Sequence, residues 1–475
     1  MIMHCFRKIG LMWCVVVLSM PVYSASLSDK AIEAPGVGEF IESMVNHHPY
    51  VLAINEGKYQ AAAEFDIAKS NFDPFIEQKT KSRLSGYYDG TSLAQRFTNP
   101  IEDFNGELFA EYRISNGDFP AYEGEYETLS GGEISAGVSI ALLKNREIDK
   151  RRTELKNAGL ATSQWQAHAT HLLNDFIYKG VSEYIAWYES ALQVEAVNEL
   201  LITAVEREKA LVTRVEKGDL ANIVLIEFKS NVLQQQLLLT ELKQKRDSHA
   251  QMLSFYWRSP MGEMQGWEGR YPPNNINWPF SVNFAELSNL RNALKVHPEL
   301  DVMKLERQVV KNKTRLTDNA LLPKLDLNAS VARDVGAGLN SLEGTETKLG
   351  LSFSYPIGNR RDTAERTQLL SKQRELEYKL SSTEQILTQR FEQALVYWGQ
   401  AKDILALQGE NTALANRLSK VEKTRFDAGE GDMFTLNARA QNEIKARMKE
   451  IKARVDVLKA ELLLYKEAAK LNTES

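Results

Sequence analysis

The chain writes one plan twice, and that duplication limits what it can fold into. "TRVEKGDLANIVLIE" from Thr213 returns as "TRFDAGEGDMFTLNA" from Thr424, so that Arg214 aligns with Arg425, Gly218 with Gly429 and Leu225 with Leu436, each pair 211 residues apart. Upstream, the His-Pro pair in "HHPYV" (His47–Val51) returns in "VHPEL" (Val296–Leu300), and Pro74 in "NFDPF" returns as Pro323 in "ALLPK", both at a spacing of 249. Ile41 and Val45 match Leu290 and Leu294 at that same spacing. The halves share spacing more than identity, as expected when a structural plan is repeated and its surface is not.

Within each half the hydrophobic period changes. Leu325, Leu327, Ala329 and Val331 alternate with polar neighbours, as do Leu349, Leu351, Phe353 and Tyr355, and Ile134, Ala136, Val138, Ile140 and Leu142. Strict alternation predicts strands with one apolar and one wet face. A fourth strand, weaker, starts at Phe75 and sets Lys79, Lys81 and Arg83 on one face. The segment Gly86–Gly131, long and rich in aromatics, holds either an extra hairpin or a surface loop.

The strands feed long helices. No proline interrupts Ile148 to Gly218, and at ~1.5 Å per residue that run would reach roughly 100 Å. Val197, Leu201, Ala204, Leu211 and Val215 keep helical steps there. In the last helix Ile444, Met448, Ile451, Val455, Leu458, Leu462, Tyr465 and Ala469 alternate steps of four and three, a coiled-coil seam. The domain plan is a first repeat over 25–258, a connector over 259–283, a second repeat over 284–470 and a tail over 471–475. The connector carries tryptophans that need apolar cover, so it reads as packed rather than flexible.

Residues 1–24 read as a secretory signal peptide: a short basic start, the apolar "IGLMWCVVVLSM" and a small-residue exit, with cleavage after Ser24. Both cysteines, Cys5 and Cys14, fall in that segment, leaving no disulfide or thiolate site in the exported chain. The net charge of −5 offers no basic surface for nucleic acid.

Strands with an apolar face on an exported chain can cover a soluble core or face lipid. With only long helices beside them, a soluble sandwich is not available. A sheet in lipid must close on itself. Four strands cannot, but three chains would supply twelve, within the range of membrane barrels. The fold class is therefore mainly α: duplicated long-helix hairpins forming a trimeric α-helical barrel, with four strands per chain in a twelve-stranded outer-membrane barrel.

At this point the sequence resembles the TolC-like outer-membrane efflux proteins, over roughly Gly36 to Ala469. The resemblance rests on the repeated prolines, on "GLSFSYPIGNR" with its first-half counterpart "GVSIALLKNR", and on the two R-x-x-x-G turns. It implies a homotrimeric exit duct in the outer membrane and periplasm, joined through a periplasmic adaptor to an inner-membrane pump of the RND or ABC type. It implies that Arg214, Gly218, Leu225, Arg425, Gly429 and Leu436 mark adaptor-contact tips. Asp219, Glu430 and Asp432 become candidates for a periplasmic constriction, since like charges around an axis select cations. Thr435 stands where the family often has an acidic residue.

Chemistry is otherwise sparse. His168 and His171 are three apart on a helix, without an evident third metal ligand. His48 and His297 precede prolines and read as helix-start residues. "GAGLNSLEG" at Gly336 reads as a hairpin turn, because no helix follows to offer its N-terminus to a phosphate. No cofactor, metal or enzymatic activity is expected. The rival readings are a periplasmic adaptor, which would show one helical hairpin beside a lipoyl-like β region, and a coiled-coil envelope scaffold, which would lack strand pairs.

Overall fold

The computed structural model describes residues 32–273 and 276–472, so the proposed signal peptide lies outside the described residues. In chain order the elements are β1 (Ile32–Glu33), α1 (Val37–His47), α2 (Pro49–Lys69), β2 (Phe75–Arg83), β3 (Gly90–Ile101), β4 (Gly106–Gly117), β5 (Glu133–Ala141), α3 (Lys150–Glu216) and α4 (Asn222–Tyr256). The second half continues with β6 (Arg270–Tyr271), α5 (Phe284–Ala293), α6 (Pro298–Ala320), β7 (Lys324–Asp334), β8 (Thr345–Ser354), α7 (Arg360–Asp427) and α8 (Met433–Glu467). The repeat is exact in its caps. His48 Nδ1 accepts from Tyr50 N at 3.1 Å and His297 Nδ1 from Glu299 N at 3.2 Å, each followed by proline at the first helical position. That cap satisfies one orphan donor, and the proline costs nothing there because its N–H would be unpaired anyway. Both imidazoles are buried, and burial lowers both pKa values, that of His297 to about 4.

The strand count differs from the expected four. The main sheet has six strands in the order β2-β3-β4-β5-β7-β8, every neighbour antiparallel. The additional pair, β3 and β4, comes from the Gly86–Gly131 segment, which is therefore a hairpin followed by a loop. The four strands per chain expected from the sequence are corrected accordingly, to six in this sheet.

Register divides the sheet into two faces. Ile76, Phe97, Ala110, Ala136, Val331 and Thr347 form one cross-strand row, and the next row runs through Gln78, Gln95, Tyr112, Ile134, Arg333 and Thr345. On this face the described strands carry a single charge, Arg333. The opposite face holds Lys79, Lys81 and Arg83, as the sequence indicated, together with ion pairs that bridge strands. Arg96 meets Glu111 at 3.4 Å, Arg113 meets Glu133 at 2.9 Å and Lys348 meets Glu133 at 3.8 Å.

Helices stack in two tiers below the sheet. Nearest it the order is α2-α3-α6-α7, and farther away α4-α3-α8-α7, with α3 and α7 (67 and 68 residues) running through both. Between the tiers lies the largest apolar core. There Trp267 of the connector is fully buried, with Phe40 and Trp187 each 5.4 Å away ring to ring and Tyr184 at 5.7 Å. The connector is held from the other side by Glu461, which accepts from Val282 N at 3.3 Å and Trp398 Nε1 at 3.4 Å. The packed connector follows from its tryptophans, as their apolar area demands.

Candidate functional site: helix tips and open edges

The two glycine turns have one geometry. After α3, Lys217 N donates to Thr213 O, Gly218 N to Val215 O and Asp219 N to Arg214 O, at 3.1, 3.0 and 2.9 Å. After α7, Ala428 N donates to Thr424 O, Gly429 N to Phe426 O and Glu430 N to Arg425 O, at 3.0, 3.0 and 2.9 Å. This is a Schellman cap, which needs a left-handed residue just past the helix. Gly218 and Gly429 both have φ of +82°. No atom lies within 4 Å of where a Cβ would sit on either glycine, so the turn itself leaves space around them.

The structure brings the two tips side by side. Leu211, Leu225 and Phe228 from the first pack with Phe426, Met433 and Leu436 from the second, and the Arg214 guanidinium lies 5.8 Å from the centre of the Phe426 ring. Leu225 and Leu436 are 9% and 1% exposed, so they shape the tips from within. Arg425 is anchored to Glu422 at 3.4 Å and to Glu430 O at 3.4 Å. The exposed residues of the turns are Glu216, Lys217, Gly218 and Asp219 in the first, and Asp427, Ala428, Gly429, Glu430 and Asp432 in the second. Behind them, a cavity of about 180 Å³ is lined by Arg207, Asn231, Gln235, Lys423 and Glu443 among others. Burial lowers the Arg207 pKa there, against the opposing pull of Asp427 and Glu443.

Asp432 has a local task that was not read from the sequence. Its carboxylate accepts from Thr435 N at 2.8 Å and Thr435 Oγ1 at 2.6 Å, capping α8, and the Thr435 hydroxyl and backbone bonds lower its pKa. The D-x-x-T spacing was the available signal. His168 lies against Trp165, and His171 lies 4.0 Å from Asp175. Among the described residues no group of three or more metal-ligating side chains occurs.

Among the described residues the molecule also ends in unpartnered edges. In the sheet these are β2 and β8. In the lower tier they are α4, with Ile223, Ile226, Leu233 and Leu237 55–65% exposed, and α7, with Ile404, Leu407, Leu414, Leu418 and Val421 48–67% exposed. The sets step by three, seven and four (and a further three on α7), the register of a coiled-coil seam with the polar Ser230 and Asn411 at its skipped positions.

The molecule thus combines a sheet with one almost uncharged face and helices of 67 and 68 residues, long enough to run ~100 Å. Residues 289–469 match the family described as outer membrane efflux protein. No curated protein matches. Among solved structures, the Campylobacter jejuni CmeC outer membrane channel is 12% identical, with 91% of this chain and 85% of that one covered and a TM-score of 0.62. The Vibrio cholerae outer membrane protein VceC is 10% identical, with 91% and 96% covered and a TM-score of 0.64. The open state of the Neisseria gonorrhoeae MtrE outer membrane channel is 12% identical, with 92% and 89% covered and a TM-score of 0.61. The chain has the fold of the outer-membrane channels, and its second half carries the sequence signature of the outer membrane efflux proteins.

Proposed function

We propose that the protein is the outer-membrane exit duct of a tripartite efflux pump or type I secretion system, assembled as a homotrimer. The observation that carries this is the match between its two open sides. One side presents β2, α2 and α4, and the other β8 and α7, so the same rotation closes the sheet and both helical tiers. β2 leaves the helices and β8 returns to them, which makes the joined strands antiparallel. Repeating one such head-to-tail contact closes a ring. Covering the α4 and α7 seams would contribute on the order of 10 kcal/mol per interface before entropy costs.

In this reading the tips face a periplasmic adaptor, which links the duct to an inner-membrane pump of the RND or ABC type. Asp219, Glu430 and Asp432 recur around the axis as a cation-favouring entrance. The test is the mass of the particle extracted in mild detergent, with and without Leu407→Asp and Leu414→Asp. A trimer for the native chain and monomers for the double variant are expected. A native monomer in membranes overturns the reading.

A further inference from the structure

The hairpin β3–β4 has the same two-faced pattern as the rest of the sheet. Leu108, Ala110 and Ile114 fall on the face shared with Val138 and Leu349, while Arg96, Glu111 and Arg113 fall on the face with the ion pairs. Its turn is tied to the sheet–helix junction: Asn105 Nδ2 donates to Asn145 O, and Arg151 meets Glu107 at 2.9 Å. A flap standing outside the membrane would need neither the uncharged face nor that anchor. The match of widths is independent support. Six strands ~4.8 Å apart and tilted about 40° occupy about 38 Å of a ring. The four helices of one tier, at about 9–10 Å spacing, occupy about 38 Å as well. Four strands would cover only about 25 Å.

We propose that β3–β4 belongs to the lipid-facing wall, so that the duct crosses the outer membrane as an eighteen-stranded barrel with acyl chains against its outer face. This rests on the trimeric reading above. The wider bore has an occupant: residues 118–132 fold over the polar face. There Glu123 receives Arg83 at 3.2 Å and the Tyr88 hydroxyl, and Lys81 lies 4.2 Å from the centre of the Tyr126 ring.

Spin labels on single cysteines test the wall in the full trimer, reconstituted in phosphatidylcholine vesicles. Leu108→Cys and Ala110→Cys should be reached by oxygen and shielded from a water-soluble nickel chelate. Ala94→Cys and Glu111→Cys should show the reverse, giving alternation along the hairpin. Nickel access at all four positions overturns the proposal. Labels at Leu349→Cys and Leu351→Cys, together with the particle mass, separate the two readings. If β8 is also open to nickel, or the particle is not a trimer, the duct reading itself fails. Oxygen access on β8 with nickel access throughout β3–β4 rejects only the eighteen-stranded wall.

Discussion

Replacing the tip glycines separates the turn they make from the surface they leave bare. At φ +82°, an alanine would pay about 1–2 kcal/mol for its Cβ in the left-handed region. With no neighbour within 4 Å of that Cβ, no clash adds to this cost. Asparagine tolerates the same conformation, so it keeps the Schellman bonds at little strain while adding a side chain. Gly218→Ala and Gly429→Ala should each lower the midpoint of thermal unfolding by a few degrees, and the asparagine variants by little. Export should follow the other order. In cells lacking another duct, Gly218→Asn and Gly429→Asn should lose export although their trimers and membrane insertion stay native, because adaptor approach depends on the missing side chain. Normal export by both asparagine variants would refute that reasoning and leave the glycines as turn residues only.

Acidification should release the buried His-Pro cap. With His297 at about 4 folded and about 6.5 unfolded, the cap's neutral form favours the fold fully above pH 6.5. Roughly 3 kcal/mol is then lost as pH falls to 4. His297→Asn, which caps without titrating, should flatten the pH dependence of unfolding over that window, and parallel curves would reject the assignment. Glu430→Ala with Asp432→Ala should weaken cation preference and block by multivalent cations in planar bilayers; unchanged selectivity would leave these carboxylates as surface charge. Asp432→Ala alone should also cost about 1 kcal/mol of α8 stability as its cap is lost, measured by amide exchange at Phe434 and Thr435.

What was legible in the sequence was what a backbone demands of particular residue types. A left-handed cap needs glycine and a helix start tolerates proline, so Gly218, Gly429, Pro49 and Pro298 gave the duplication directly. The β3–β4 hairpin stayed one of two readings of its segment because its two faces are chemically mixed: Gln95 and Asn99 sit on the apolar face, and Phe109 and Pro100 on the polar one. Period-two reading fails there, although cross-strand register restores the faces at once. The aligned leucines mislead in the opposite direction, since Leu225 and Leu436 repeat because both tips must pack and not because either is displayed. The open seams show why the surfaces that would join the copies could be placed only after folding. Ile404, Leu407, Leu414 and Leu418 keep the register of a coiled-coil seam with one position skipped, as α8 keeps it without a gap, and no pattern of spacing tells which seam is filled within the chain. Contact does: α8 packs on α3 and α7, while the outer stripes of α4 and α7 stay about half exposed or more among the described residues. In the proposed ring, the seam left open by one copy is the partner required by the next.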